Sequence, residues 1–282
     1  MLPTLTYLQF HLVFSLPVVA ALWYLAPRYD PLRRRRAAVG IAILVAIAYV
    51  YTTPWISYMI RQGAWWYADG AVLARALSIP LGEYLFFTVQ TVVTAFALHL
   101  IGFDPTFREG DFDRGPRIAG VVGGVAMVAG GLWLVTLDPS YLYLGGLIAW
   151  VGPVVALQWA VGGGYLIRTP RIWVAATLIP AAYFWVADRI AIEMGTWQLS
   201  AELTTGVAVL GLPIEEMLFF ASAGVMTVNG LVLFEWVLDW NDRRGRPTES
   251  PVGAFEPGPE PEPDPPEPQP EPEPESAGSV DD

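Results

Sequence analysis

Apolar positions run almost unbroken through seven stretches of the chain, at Leu5–Ala26, Ala37–Pro54, Pro80–Ile101, Ile118–Leu137, Tyr141–Val161, Ile172–Ile192 and Leu212–Leu238. Each approaches or exceeds the roughly 20 residues that carry a helix across a bilayer. The pattern therefore predicts an all-α polytopic membrane protein with seven transmembrane helices. Segments 63–79 and 195–211 are less apolar and contain glycine, so they are read as interfacial or re-entrant pieces. No basic run precedes the first stretch and no small-residue cleavage site follows it, so it is expected to be a span and not a removed leader. Beyond residue 240 the pattern changes completely. "EPGPEPEPDPPEPQPEPEPES" has nothing to bury, and residues 241–282 are expected to form a disordered acidic, Pro/Glu-rich tail.

The pattern also repeats. "IPLGEYLFF" begins at Ile79 and "LPIEEMLFF" at Leu212. "YLQFHLVFSLPVVAALWY" from Tyr7 parallels "YLYLGGLIAWVGPVVALQW" from Tyr141, and "PWISYMIRQGAWW" parallels "VADRIAIEMGTWQ", which aligns Gly63 with Gly195 and Trp65 with Trp197. Spans one to three thus recur as spans five to seven. The expected organisation is a 3+1+3 tandem repeat: residues 1–105, a connecting loop and helix at 106–138, and residues 139–240. A single connecting helix gives the halves the same orientation, about an axis along the membrane normal, with sites expected between them.

Composition sharpens this reading. The chain is 54% hydrophobic and 15% charged, too apolar for a soluble domain. Cysteine is absent, which removes disulfides and thiolate metal sites, and two histidines, His11 and His99, are too few for a His-rich metal centre. All 16 basic residues are arginine. Residues 247–282 hold 11 of the 27 acids, which leaves the membrane part formally neutral at 16 against 16. An acidic tail without lysine suits a salt-loving host and gives no reason to expect nucleic acid. Thirteen arginines fall on one side of the spans and three (Arg61, Arg75, Arg189) on the other. The positive-inside rule then puts the N-terminus outside and the tail in the cytoplasm.

The repeated glutamates admit two readings. Proline opens helices and an acid in the first turn complements the helix dipole, so Glu83, Glu215 and Glu216 suit helix starts. Yet Glu83, Phe86, Phe87 and Gln90 share one helical face, as do Glu216, Phe219, Phe220 and Ala223. Turned inward, the two faces enclose an apolar space with carboxyl groups and phenyl rings. A charged side chain at mid-membrane costs about 2.5–3.5 kcal/mol on insertion scales, so the uncharged acid is the cheaper form there. Adjacent Glu215 and Glu216 further resist double ionisation. Neutral acids beside aromatic faces suit acid-initiated carbocation chemistry on an apolar substrate. They suit proton-coupled transport equally well.

These motifs, "LPIEEMLFF" after "DRIAIEMGTW" and "IPLGEYLFF" after "YTTPW" and "GAWW", resemble the integral-membrane lycopene cyclases, in the fused two-subunit arrangement known from archaea. The resemblance covers about residues 1–240. It implies lycopene β-cyclase activity, converting ψ-ends of lycopene into β-rings by way of γ-carotene to β-carotene. A proton adds to the terminal double bond, a second double bond closes the ring on the tertiary cation, and loss of a neighbouring proton completes an isomerisation. By position, the resemblance implies Glu216 and Glu83 as proton donors, Glu215 as tuning partner or base, and Asp188 as auxiliary acid or ion-pair partner. Phe86, Phe87, Phe219, Phe220, Trp65 and Trp197 are expected to shape the substrate pocket and stabilise the cation. Two departures stand out: Gly82 occupies the place of Glu215, and Ile56 the place of Asp188.

Three alternatives are weighed by residue. A retinal protein needs a Schiff-base lysine, and there is none. A small-solute transporter fits the repeat and paired acids, and an end-group hydratase would begin from the same cation. No G-x-G-x-x-G follows a strand-like run, so no flavin or nicotinamide site is evident. "VVGGVAMVAGG" is read as a close-packing helix. The expected partners are lycopene and the membrane; the tail is read as a solubilising extension, with a docking site for another carotenoid-pathway enzyme as the sharper alternative.

Overall fold

The computed structural model describes residues 5–245. Of the expected tail at 241–282, residues 241–245 instead continue the last helix, and the remainder, from Arg246 onward, lies outside the described residues, as does Arg246 in the charge asymmetry.

Seven helices among the described residues are long and apolar enough to cross a membrane. They are α1 (Tyr7–Leu25), α2 (Pro31–Gln62), α3 (Leu81–Ile101), α4 (Arg114–Leu137), α5 (Leu142–Arg168), α6 (Pro170–Glu193) and α7 (Ile214–Gly245). The expected spans hold, but several ends move. Helix α2 begins six residues early, because Asp30 caps it by accepting from the amides of Leu32 and Arg33, with Pro31 as first residue. It then runs through Pro54 to Gln62, where the apolar pattern had been cut at the proline. Proline removes one backbone bond, but within lipid the surrounding helices make that tolerable. Helices α5 and α6 likewise run through Pro153 and Pro180. Helix α1 carries one π-turn at His11–Ser15.

Segments 63–79 and 195–211 each contain short strands. After Gly63 and Gly195, both left-handed (φ 79° and 72°), come β1 (Trp65–Tyr67) and β4 (Trp197–Leu199). These pair antiparallel across the two halves, with Trp65 opposite Leu199 and Tyr67 opposite Trp197. Each half then adds a small hairpin: β2 (Arg75–Ala76) with β3 (Ile79–Pro80), and β5 (Ala208–Val209) with β6 (Leu212–Pro213). Their two-residue turns have positive φ at Leu77, Ser78, Leu210 and Gly211. Such turns favour Asn-Gly or Asp-Gly, and Leu-Ser gives no such signal. The order helix, cross-half strand, hairpin, helix therefore occurs once on each side of α4.

Helix α4 packs against α5 through glycine. A Cβ at Gly124 would meet the Gly152 carbonyl and Ala156, and one at Gly131 the Gly145 carbonyl and Ala149. This is the close approach the small-residue stretch predicts.

Candidate active site

Each hairpin feeds straight into a helix whose first turn carries the repeated acid. Glu83 is the third residue of α3 after Pro80, and Glu216 the third of α7 after Pro213. Their positions are those of the helix-start reading. Their side chains, however, are buried and line a common narrow cavity of about 50 Å³. Asp188, two turns from the end of α6, lines it as well. The structure thus gathers three carboxyl groups, one from the first half and two from the second, in one space between the halves.

Each acid has an aromatic donor. The Tyr67 hydroxyl donates to Glu83 Oε1 at 2.5 Å and itself accepts from the Trp65 indole at 3.0 Å. The Tyr7 ring stacks on Tyr67 beside it, at 5.8 Å and 26°. The Tyr143 hydroxyl donates to Glu216 Oε1 at 2.8 Å, and the Trp197 indole to Asp188 Oδ1 at 2.8 Å. The β1–β4 ribbon makes two of these contacts simultaneously: strand alternation points Trp65 and Tyr67 inward and leaves Trp66 exposed, while cross-strand pairing sets Trp197 beside Tyr67. Burial, and then the charge of Glu83, push the Tyr67 hydroxyl well above its ordinary pKa, so it remains a donor. Asp188 Oδ2 is buried without a hydrogen-bond partner among the described residues.

The remaining wall is aromatic. Phe184 and Phe220 stack at 5.6 Å and 10°, and Phe86 meets both edge-on at 5.5 and 5.7 Å. Phe219 lies parallel to Trp55 at 5.9 Å and 13°. Such a wall offers several π faces to a cation in a space lacking arginine.

Of the ten residues expected at the site, eight line this cavity: Glu83, Glu216, Asp188, Phe86, Phe219, Phe220, Trp65 and Trp197. Glu215 does not. Fully buried, it turns back to accept from the Thr205 amide and hydroxyl, both at 2.7 Å, and so pins the loop before β5. Phe87 does not either. It sits on the other flank of Glu83 from Phe86, packs edge-on to Tyr49, and lines a neighbouring cavity of about 90 Å³ together with Gln90. The ion pair Arg189–Glu193 forms at 3.2 Å, leaving Asp188 free of it.

Sequence reasoning missed Tyr7, Tyr143, Trp55, Phe10 and Phe184, all on the cavity wall, and Tyr67, which stands behind Glu83 as its donor. A signal existed for two of them. Anchoring the first-helix alignment on the PVVA runs, at Pro17 and Pro153, pairs Tyr7 with Tyr143, and each lines the cavity beside the first-turn glutamate of its own half. The departure at Gly82 has a physical cause: a Cβ there would collide with the Tyr7 ring, while the Gly82 carbonyl bonds His11 Nε2 at 2.9 Å. Among the described residues no cluster could hold a metal ion.

A family model described as lycopene cyclase matches residues 5–101 and again 141–237. A lycopene beta-cyclase of Halobacterium salinarum is 43% identical over 242 residues, spanning 83% of this chain and 98% of that protein. Bifunctional lycopene cyclase/phytoene synthases of Arthroderma gypseum and Blakeslea trispora are 32% and 33% identical over 80% and 79% of this chain, which spans only 41% and 38% of theirs. No solved structure matches.

Proposed function

The chain belongs to the lycopene cyclase family, and from that premise we propose that its activity is that of a lycopene β-cyclase, closing the ψ-ends of lycopene into β-rings within the membrane. The observation that carries this reading is the enclosure of three carboxyl groups by aromatic rings, with no charge of opposite sign on the wall. Three carboxyls in one apolar space resist ionising together, so the site holds protons ready to give. Glu216 donates to the terminal double bond of the bound end, held by Tyr143. The resulting tertiary cation faces Phe86, Phe219, Phe220 and Trp55 while the second double bond closes the ring. Asp188, whose Oδ2 is uncommitted, takes the proton that leaves. Glu83, bonded by Tyr67, is the alternate donor. Glu215 acts indirectly, by holding the loop ahead of β5. Proton number, bonds and oxidation state balance, as an isomerisation requires.

The 3+1+3 organisation with parallel halves is part of this reading. Its support is the recurrence of strand, hairpin and first-turn glutamate on either side of α4. So is the orientation with the N-terminus outside, supported by the arginine asymmetry. The test is a pigment chromatogram from a lycopene-accumulating bacterium expressing the chain. γ- or β-carotene is expected. Hydroxylated acyclic pigments would replace this reading by the hydratase, and unchanged lycopene beside folded protein in the membrane would favour the transporter.

A further inference from the structure

A cavity of about 50 Å³ takes in only the reacting end of a long polyene, and the rest of the chain has to lie elsewhere. An open, shallow groove of about 730 Å³ lies on the outer side of α2 and α5, lined by Ile43, Ile47, Val50 and Pro54 of α2 and by Trp150 of α5. It carries no charged residue. From Ile43 to Trp55 it follows α2 for about 18 Å at 1.5 Å per residue. Its Tyr51 hydroxyl is already spent on the Trp150 carbonyl at 2.7 Å. Such a wall offers an apolar chain contact and offers a polar solute nothing.

The groove and the acid cavity share Trp55. That ring sits in a ladder, stacked on Phe219 on the cavity side (5.9 Å, 13°) and on Trp150 on the groove side (4.8 Å, 17°), with Tyr51 next at 5.7 Å from Trp150. Stacking is what holds it, because neither the Trp55 nor the Trp150 indole N–H has a hydrogen-bond partner among the described residues. Swinging Trp55 aside therefore breaks no hydrogen bond and opens the cavity sideways into the groove.

Resting on the proposed function, we propose that this groove is the polyene subsite: the chain of the substrate lies along α2 and α5, and its ψ-end enters the acid cavity from the lipid phase past Trp55. The groove takes the polyene and not a membrane acyl chain, because it abuts, across Trp55, the place where an end must react.

Ala46 lines the groove and is exposed to the lipid side without touching the acid cavity, so Ala46→Trp plugs the groove alone. Val122, exposed on α4, gives the control Val122→Trp. Full-length proteins would be compared by conversion of lycopene in vesicles, by carotenoid co-purified per protein, and by melting in detergent. The expected result is at least a tenfold loss of conversion and of bound lycopene for Ala46→Trp, with melting unchanged and Val122→Trp at wild-type levels. Where Ala46→Trp lowers the melting temperature, Val50→Trp takes its place. Groove variants within twofold of wild type in conversion and bound lycopene would overturn the proposal, assigning the groove to lipid tails. So would an equal loss in Val122→Trp. A wild type that retains lycopene uncyclised would count against the cyclase reading alone, since the ratio of bound lycopene still judges the groove.

Discussion

Replacing Glu216 by Gln removes one acidic proton and changes little else. The amide keeps an oxygen where Tyr143 now donates at 2.8 Å, and its volume matches that of the acid, so the cavity wall stays filled. At most one hydrogen bond is weakened, about 0.5–1.5 kcal/mol of folding stability. The chemical cost is of another order. General acid catalysis contributes about 10²–10⁴-fold in rate, equivalent to about 3–5.5 kcal/mol on the barrier. Activity and stability should therefore separate: melting in detergent shifts by a few degrees while lycopene turnover falls at least a hundredfold. Tyr143→Phe is the informative companion. It leaves the carboxyl in place and removes only its donor, so a loss of about tenfold is expected, far short of Glu216→Gln. The assay is chromatographic quantitation of lycopene, γ-carotene and β-carotene against membrane protein verified to be folded. Turnover by Glu216→Gln within threefold of wild type would refute the donor role and return Glu216 to a helix-start residue. A parallel collapse of folding and turnover would do the same.

Two further outcomes follow from contacts outside the proton chemistry. Asp111, 3% exposed in the loop before α4, receives both arms of Arg168, the Arg108 amide and the Trp236 indole at 2.8–3.0 Å. Burial works against its charge, but these donors together, Arg168 foremost, hold its carboxyl below the ordinary 3.8. Its contribution is thus complete above that value and disappears as pH falls through the lower folded value. Asp111→Asn should cost about 3 kcal/mol near neutrality, the low end for a broken buried pair because Arg168 is partly exposed, and melting curves of variant and wild type should converge on acidification. Gly82→Ala should displace the Tyr7 ring at a cost of about 1–3 kcal/mol and reduce turnover, and the double variant with Tyr7→Ala should lose less stability than the two single losses added together.

The spans were legible because lipid demands them: long apolar runs carry their own signal, and Glu83 and Glu216 became conspicuous by recurring after proline. The hidden parts have physical reasons. Pro54 looks like a terminator by the rules of soluble helices, whereas α2 continues eight residues past it to bring Ile56 and Trp55 onto the cavity wall. The β1–β4 pairing joins residues 65–67 to 197–199, a separation no local periodicity reports. Glu215 was drawn into the site by adjacency in sequence, yet neighbours on a helix point about 100° apart, and its carboxyl goes to Thr205. Phe184 lies on a helix whose apolar pattern is continuous, so nothing in the sequence separates cavity wall from lipid face there.

The unequal halves bear on how many ends can react at once. Each half supplies a first-turn glutamate with its own tyrosine beside it on the cavity wall, Tyr7 with Glu83 and Tyr143 with Glu216. Only the second half adds an aspartate, and the equivalent place in the first is filled by Ile56, which faces the same cavity. Two separate sites would each need an acid and a base within reach; here the duplicated parts meet in one space, and the loss of an acid at position 56 removes a fourth carboxyl from a cavity already holding three. One space closes one ring at a time. On the cyclase reading, the second end of lycopene can react only after the first leaves, so the monocyclic carotenoid has to withdraw past Trp55, reverse in the bilayer and return by the same groove. A site that opens to lipid when Trp55 swings aside, as proposed, would allow that exchange, which a sealed pocket of the same chemistry would forbid.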